Sequence, residues 1–416
     1  PHPVANPSTA SSMCQYTCVL FLVFLNRKRN VSPASSHFHD RFILNLTLIL
    51  NNSYYFYSIF TFALSLMFTY LLLKESIIPN HYSLDINQGS QKIHGDKIKR
   101  IGGLSIVFSI IVFLIIEKII FNNITNPELY FLFLYCFIIF LIGFLEDLIK
   151  DIKPVIRLLL LFIFTYIWII QSNNIITHTN IDFIDNIIEI KILGIILTLI
   201  CIISSINAAN MMDGANGLLT IFIISILSVL SFYAFNENKF ELLYFLSVII
   251  GSLFGFLIFN WPKGLIFLGD GGSYFLGSLL STLLIFISNH LDNFSMLNAL
   301  IIMSYPIWEL LFTVLRRLYF SSKITKPDNL HLHTILHANI KRLNLIKIIG
   351  INNNSFSAII INLIALLPSI IFLIYKYGYN LEDRETIFFL ILCNILYTML
   401  YLILRKKNQS YFNNTK

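Results

Sequence analysis

The sequence predicts an all-α, polytopic integral membrane protein with about ten or eleven transmembrane helices. Hydrophobic residues make up 56% of its 416 residues and charged residues only 12%, about half the charged fraction of an average soluble domain. The apolar residues fall in runs of about 20, the length that a helix needs to cross a bilayer. These two observations exclude a soluble globular domain.

Eleven apolar segments are predicted as spans and are numbered here in chain order. They are 54–73, 101–120, 129–145, 155–171, 191–209, 218–235, 241–259, 274–289, 297–318, 357–376 and 385–404. Lys and Arg concentrate in the segments that follow odd-numbered spans, and cytoplasmic loops are the ones rich in these residues. We therefore expect those segments to face the cytoplasm. The net charge of +7 reflects this topology and does not indicate nucleic-acid binding.

The two ends of the chain are predicted to lie outside the membrane domain. Residues 1–53 contain one short apolar run that is too short to span a bilayer. We interpret them as an N-terminal extension that is not part of the functional domain. The membrane domain is then expected at 54–405, with a cytoplasmic tail at 406–416. The five cysteines show no metal-ligand spacing and no disulfide framework.

Polar residues concentrate in five segments that all follow odd-numbered spans. These segments are 74–100, 146–154, 207–217, 260–273 and 319–350. They contain nearly every cluster of Asp, Asn, His and Gly in the chain. Ionisable groups at a membrane boundary are functional candidates, so we expect the five segments to form one active site on the cytoplasmic side.

Two of these segments carry carboxylates suited to a hard cation. Asp270 lies among glycines, which let a backbone approach a phosphate closely, and a carboxylate is a good ligand for Mg²⁺. Glu146 and Asp147 are adjacent, and such a pair can bind metal, position a nucleophile or accept a proton. The alternatives are a helix-capping turn at Asp270 and a solvated helix end at Glu146 and Asp147.

The third segment has a polar residue at every third position: Asn207, Asn210, Asp213 and Asn216. At this spacing the four side chains would lie on one side of a helix. Four polar residues on one stripe near the membrane are costly unless they are satisfied, which favours a binding site. The alternative is a set of caps and turns.

The fifth and first segments supply groups suited to phosphate. Arg316 and Arg317 precede His331 and His333 in the fifth segment, and Arg100 precedes two glycines at the end of the first. Arginine and histidine side chains can contact phosphate oxygens. The alternative is the ordinary basic charge of cytoplasmic loops.

In this order, the five segments resemble the polyprenyl-phosphate N-acetylhexosamine-1-phosphate transferase family, glycosyltransferase family 4. The most specific blocks are NAANMMDGANGLL (207–219), FNWPKGLIFLGDGGSYFLG (259–277) and PDNLHLHTILH (327–337). The resemblance covers roughly residues 54–405. The His-Leu-His order is closer to the enzymes that initiate O-antigen and teichoic-acid synthesis than to the peptidoglycan translocase, which has three consecutive histidines.

The resemblance implies a role for each matching residue. Asp270 and Asp147 are the implied ligands of Mg²⁺, with Mn²⁺ as an alternative ion, and Phe267 is the aromatic residue beside uracil. The catalytic residues predicted in this way are Asp147, Glu146, Asp270, His331 and His333. The predicted substrate-binding residues are Asn207, Asn210, Asp213, Phe267, Arg100, Arg316 and Arg317.

Three positions depart from the family pattern. Glu146 stands where the family usually has Asp, Asn216 where it often has Asp, and Glu309 where it often has Asp after the Tyr-Pro of the ninth span. Glu146 is longer than Asp by one methylene, and Asn216 carries no charge.

The implied reaction transfers N-acetylhexosamine-1-phosphate, with GlcNAc-1-phosphate first among several amino-deoxysugars, from a UDP-sugar to undecaprenyl phosphate. UMP is released, and the product starts a cell-envelope polysaccharide. The implied location is the bacterial inner membrane. The implied partners are bilayer lipids and, as one option, a second copy of the chain, whereas nucleic acid is not an implied partner. The alternatives are an enzyme of the peptidoglycan-translocase type, a non-enzymatic transporter and a membrane scaffold.

Overall fold

The computed structural model describes residues 54–74, 98–121, 126–149, 152–319, 330–343, 352–379 and 381–413. Within these residues the chain forms helices and no β-strand, which confirms the predicted all-α class. The predicted extension at 1–53 lies outside the described residues. So do residues 75–97 of the first polar segment and much of the fifth.

Fifteen α-helices are present in the described residues, numbered here in chain order. They are α1 (Tyr54–Leu73), α2 (Gly103–Phe121), α3 (Pro127–Ile149), α4 (Pro154–Ser172), α5 (Asp182–Ile188), α6 (Lys191–Met212), α7 (Leu218–Asn236), α8 (Phe240–Asn260), α9 (Gly269–His290), α10 (Met296–Ile302), α11 (Ser304–Tyr319), α12 (Leu332–Leu343), α13 (Asn353–Ile361), α14 (Leu367–Tyr379) and α15 (Asp383–Asn413). A π-helical turn at Asn362–Leu366 joins α13 to α14.

Each predicted span coincides with helix in the structure. Nine spans in the described part of the chain are long and apolar enough to cross a membrane, and α10 with α11 supplies a tenth if this bent pair counts as one. The pair bends by 68° where the sequence predicts one continuous span at 297–318. Pro306 explains the break, because it has no N–H to donate to the carbonyl of Ile302.

Helix α9 is the most deeply buried of the candidate spans. Its apolar window is 94% buried, whereas the next most buried spans reach 67%. Small residues allow neighbouring helices to approach it closely. A Cβ atom added at Gly277 would lie 2.7 Å from the Cα atom of Ile206 in α6. Close packing therefore fixes the position of α9, whose first turn carries Asp270.

A short backbone pairing aligns the start of α2 with the start of α9. Phe267 N–H donates to the carbonyl of Lys99, and Gly102 N–H donates to the carbonyl of Phe267, each over 2.8 Å. Lys99 and Ile266 form an isolated parallel bridge. This pairing holds Arg100, between Lys99 and Gly102, against the residues that open α9.

Two predicted boundaries differ from the structure. The predicted last span, 385–404, is part of a longer helix, because α15 continues to Asn413 through most of the predicted tail. The fifth polar segment is also not entirely a loop, since it contains the 12-residue helix α12. This helix carries His333 and follows directly on His331.

Candidate active site

The last turn of α3 packs against the first turn of α9, and glycines make this approach possible. A Cβ atom at Gly143 would lie 2.5 Å from the carbonyl oxygen of Asp270. Gly271 N–H donates to Asp147 Oδ2 over 3.0 Å. Gly269 adopts φ +82°, and a Cβ atom there would lie 2.7 Å from the same carboxylate oxygen. The structure thus brings Asp147 and Asp270 together, although both lie in helical turns.

Arg100 faces Asp270 across this junction. Its Nη2 atom lies 3.2 Å from Asp270 Oδ1, and the two side chains are 38% and 20% exposed. Part of the ion pair is therefore open to solvent and accessible to a ligand. The first and fourth polar segments meet here, as the sequence predicts.

Asp213 joins the same group of charges. It follows the end of α6 and is half-buried. Burial raises the pKa of Asp213 to about 8; the nearby Arg100 opposes this shift, and the negative charges of Asp270 and Asp147 add to it. Three carboxylates close enough to influence one another's ionisation define what we term the acidic centre: Asp147, Asp213 and Asp270.

The asparagines of the third segment do not form the predicted stripe. Helix α6 ends at Met212, so Asn216 lies beyond it. Asn216 Nδ2 donates to Ser355 Oγ over 3.2 Å, and this side chain is buried. Asn210 Oδ1 accepts a 2.9 Å hydrogen bond from Ser273 in α9. Asn207 Nδ2 donates over 2.8 Å to the Ile203 carbonyl of its own helix.

Glu146 has different partners from Asp147. Its Oε1 lies 2.8 Å from Arg157 Nη1, and its Oε2 accepts a 3.1 Å hydrogen bond from the Tyr274 hydroxyl. Successive residues of a helix point about 100° apart, so adjacent carboxylates in α3 face different neighbours. The structure therefore does not show the expected acidic pair; it shows Glu146 holding an arginine of α4.

The histidines of the fifth segment reach the acidic centre from another side. The rings of His331 and His333 stack with centroids 5.6 Å apart. A Cβ atom at Gly214 would lie 2.3 Å from His333 Nε2, so His333 packs against the residue that follows Asp213 in the chain. Burial, together with the neighbouring His331, lowers the pKa of His333 to about 4. His333 is therefore neutral at physiological pH.

The arginines predicted to bind substrate are placed differently. Arg316 is buried, and its Nη1 donates to the carbonyl of Leu330 over 2.8 Å and to the hydroxyl of Tyr401 over 2.6 Å. It therefore connects α11, α15 and the residue before His331. Arg317 is half-buried on α11, and Phe267 is half-buried beside Arg100.

Some residues at the site were not predicted from the sequence. Arg157 and Tyr274 bind Glu146, and Ser273 binds Asn210. Ser273 directly follows the glycines around Asp270. This position is the one feature of the sequence that could have identified it as a site residue. Tyr274 lies inside an apolar span, where a tyrosine gives no pattern that distinguishes a functional group from a packed one.

The acidic centre offers hard oxygen ligands. Among the described residues, no group of three or more His, Cys, Asp or Glu side chains is arranged to hold a metal ion. Mg²⁺ does not require such a cage, because it is often held by one or two carboxylates together with water and substrate phosphates. Asp147 and Asp270, with the solvent-open face near Arg100, fit that pattern.

Fold and site together define a polytopic helical membrane protein with an acidic, partly open centre at one end of its helices. Residues 129–288 match the model of glycosyl transferase family 4. This match confirms the resemblance that the motifs carry, over the segment that contains the second, third and fourth polar segments. The match includes Asp147, Asp213 and Asp270.

Curated relatives agree with the family. Over 106 residues the chain is 36% identical to the probable undecaprenyl-phosphate N-acetylglucosaminyl 1-phosphate transferase of Bacillus subtilis (strain 168), which covers 25% of this chain and 30% of that protein. It is 33% identical over 103 residues to the undecaprenyl-phosphate alpha-N-acetylglucosaminyl 1-phosphate transferase of Thermotoga maritima, covering 23% of this chain and 34% of that protein.

Over a shorter segment, the chain is also similar to a second group of relatives. It is 46% identical over 50 residues to the phospho-N-acetylmuramoyl-pentapeptide-transferase of Streptococcus suis (strain 05ZYH33), covering 12% of this chain and 15% of that protein. In these three matches the chain spans 15% to 34% of the relative's length.

Proposed function

We propose that this chain transfers N-acetylhexosamine-1-phosphate from a UDP-sugar to undecaprenyl phosphate and releases UMP, which starts a cell-envelope polysaccharide. One observation carries the proposal. Three carboxylates from separate segments meet beside Arg100, at the end of apolar helices where a lipid phosphate and a water-soluble nucleotide can both arrive. The two N-acetylglucosaminyl 1-phosphate transferases among the relatives support GlcNAc-1-phosphate as the transferred group.

The reaction joins two anions. An oxygen of the lipid phosphate forms a bond to the sugar-side phosphorus of the donor, the pyrophosphate P–O bond breaks, and UMP leaves with that bridging oxygen. The second pKa of a phosphate monoester is about 6, so the acceptor is mostly dianionic at neutral pH and needs no general base. The task of the protein is therefore to position both phosphates and to offset their charge.

Each residue of the site has a part in that task. Asp147 and Asp270 would hold Mg²⁺, which supplies positive charge to the pyrophosphate when it is bound. Arg100 is placed to contact a phosphate oxygen, because its guanidinium already faces Asp270 at the open side. In this proposal Asn210 and Asp213 hydrogen-bond the sugar or the nucleotide.

The test is a turnover assay with the purified chain, UDP-GlcNAc, undecaprenyl phosphate and Mg²⁺, in which UMP and the lipid product are both measured. We expect turnover by the unmodified chain and a loss of at least about 100-fold in Asp270→Asn, because the implied ion loses a charged ligand. EDTA should abolish turnover, and Mn²⁺ should restore part of it.

The matched control is Asp292→Asn, an exposed aspartate just after the other end of α9. That end lies roughly 30 Å from Asp270, at 1.5 Å for each helical residue. We expect this variant to keep full activity. Equal losses in both variants, or no UMP release from any UDP-sugar, would contradict the proposal.

The same turnover assay should also test a second type of sugar donor. The streptococcal relative is named a phospho-N-acetylmuramoyl-pentapeptide-transferase, so UDP-N-acetylmuramoyl-pentapeptide is included in the donor panel. Preferential turnover of that donor would assign the chain to the peptidoglycan-translocase type. Preference for UDP-GlcNAc or an amino-deoxysugar would assign it to the polysaccharide-initiating type.

A further inference from the structure

Glu309 is a carboxylate buried inside the bent α10–α11 span. Only 3% of the residue is exposed, yet three groups donate hydrogen bonds to its carboxylate. His331 Nδ1 lies 3.0 Å from its Oε1, and the backbone N–H of Leu332 donates to the same oxygen over 3.2 Å. The hydroxyl of Tyr397 in α15 donates to Oε2.

These contacts determine which nitrogen of His331 carries hydrogen. An ionised carboxylate can only accept, so the Nδ1 atom that faces it must be the donor. Nε2 is then the ring nitrogen left for contact with a substrate. A buried carboxylate is costly unless it is fully paired. Two of the three groups that donate to Glu309 belong to the segment that begins at His331, and the third is the Tyr397 hydroxyl of α15.

A chain of contacts joins the imidazole held by Glu309 to the residue that follows Asp213. His331 stacks on His333 with ring planes 4° apart, and His333 packs on Gly214, next to Asp213. A shift in His331 would therefore reach the residues that surround the substrate. The donors to Glu309 are His331, Leu332 and Tyr397, and none of these residues belongs to the acidic centre.

We propose that Glu309 is a positioning residue for the transfer reaction: it fixes the ring and tautomer of His331 and, through His331, the histidine stack that packs on Gly214. The inference rests on the proposed function, because the reaction in question is the phosphoglycosyl transfer. It goes beyond that proposal by assigning the reaction a residue inside the membrane span.

The test compares Glu309→Gln with Glu309→Asp in the turnover assay. Glutamine keeps the size and an acceptor oxygen but removes the charge, so we expect kcat to fall about 100-fold with little change in the KM for UDP-GlcNAc. Aspartate keeps the charge, and we expect it to restore kcat to within about tenfold of the unmodified chain. A purely structural role would not distinguish the two variants in this order.

The matched control is Tyr401→Phe. The Tyr401 hydroxyl donates to the carbonyl of Leu330 over 3.0 Å and accepts from Arg316, so its loss disturbs the same segment one residue before His331. The carboxylate partner of His331 remains in place. We expect kcat to stay within about twofold, since the hydrogen bond between His331 and Glu309 is unchanged. An equal loss of kcat in Tyr401→Phe and Glu309→Gln would overturn the inference.

A spectroscopic measurement separates this inference from the proposed function. In ¹⁵N-histidine NMR spectra, with His331 assigned by comparison with His331→Ala, we expect a single form protonated at Nδ1. In Glu309→Gln we expect a mixture of tautomers. An unchanged His331 signal in Glu309→Gln would overturn the inference even if UMP is released, whereas an inactive chain with the expected signals would count against the proposed function alone.

Discussion

Glu146 and Asp147 are neighbours in sequence but have different interaction partners. Asp147 accepts from the backbone of α9 within the acidic centre, whereas Glu146 binds Arg157 and Tyr274. Sequence identified both as carboxylates at a helix end. It could not show the partner of either, because that partner depends on which helix each side chain faces after packing.

The two carboxylates should respond differently to neutralisation. We expect Asp147→Asn to lose at least about 100-fold in kcat, whereas Glu146→Gln should keep kcat within about tenfold. Glu146→Gln should instead lower the free energy of unfolding by about 1–3 kcal/mol, because Arg157 loses a partly buried charge partner. Turnover and thermal unfolding in detergent measure the two effects.

A pH profile refines the expectation for Asp147. If Asp147 only positions the acceptor or the ion, the low activity of Asp147→Asn should persist at high pH. Full recovery of its rate at high pH would contradict a purely positional role, since hydroxide would then be replacing a base. A Glu146→Gln variant as inactive as Asp147→Asn would contradict the separation of the two carboxylates.

Asp213 should make stability depend on pH. Its pKa of about 8 lies well above the ordinary aspartate value of about 3.9, so the folded state favours the protonated form. The stabilisation from this group is fully present below about pH 4 and is lost as pH rises through about 8. Asp213→Asn keeps a neutral side chain of similar shape at every pH.

We therefore expect Asp213→Asn to raise Tm relative to the unmodified chain by about 2–5 °C at pH 8.5 and by much less at pH 4.5. The measurement is thermal unfolding in EDTA, because a bound cation would favour the ionised carboxylate. The same Tm difference at both pH values would contradict the burial and charge environment described for Asp213.

At the scale of elements, the approach of α3 to α9 depends on Gly143. A Cβ atom there would lie 2.5 Å from the Asp270 carbonyl oxygen, so Gly143→Ala must push the end of α3 away from the start of α9. We expect at least about a tenfold loss of turnover and a fall in the free energy of unfolding of about 1–3 kcal/mol. Turnover and thermal unfolding are again the measurements.

Gly378→Ala is the matched control for this substitution. Gly378 lies in α14, and a Cβ atom there would have no neighbour within 4 Å. Helix propensity alone favours alanine over glycine by about 1 kcal/mol, so this variant should be as stable as the unmodified chain or slightly more so. A Gly143→Ala variant that behaves in the same way would contradict the close packing of α3 and α9.

Helix positions were more predictable than helix ends. Long apolar runs identified every span, because bilayer thickness requires them. The ends depend on local contacts: α3 continues through Asp147, and α9 begins at Gly269, so both carboxylates lie on helical turns. The asparagine pattern failed for the same reason, since α6 ends at Met212 and Asn216 turns to Ser355.

At the scale of the whole molecule, five segments distant in sequence approach one end of the bundle. Their order and their polar residues predicted this meeting, whereas the Glu309–His331–Tyr397 contacts did not follow from any motif. Tyr397 lies in an apolar run, and its role depends on α15 packing behind the histidines. Sequence therefore indicated the acidic centre better than it indicated the residues that hold it.

We expect the acidic centre to face the cytoplasm, because Lys and Arg concentrate in the segments at that end. In a chain whose native cysteines are replaced, Lys263→Cys should be protected from a membrane-impermeant maleimide in intact cells. Asn293→Cys, an exposed position after the other end of α9, should be labelled. Both positions should react after the cells are opened.

The reverse labelling pattern would place the acidic centre on the outer face, where UDP-sugars are not made. Equal labelling of both positions in intact cells would show that the membrane is not a barrier in the assay. Only protection of Lys263→Cys together with labelling of Asn293→Cys supports the proposed orientation.

Helix α15 has only 11% of its span window buried, yet it supplies the hydroxyls of Tyr397 and Tyr401. A premature stop codon before Asp383 would leave all three aspartates and Arg100 in the polypeptide. The shortened product would nevertheless lose the Tyr401 hydroxyl that donates to the Leu330 carbonyl and the Tyr397 hydroxyl that donates to Glu309. Inspection of the sequence motifs alone would therefore classify such a truncated gene as functional, although we expect its product to lose transfer activity.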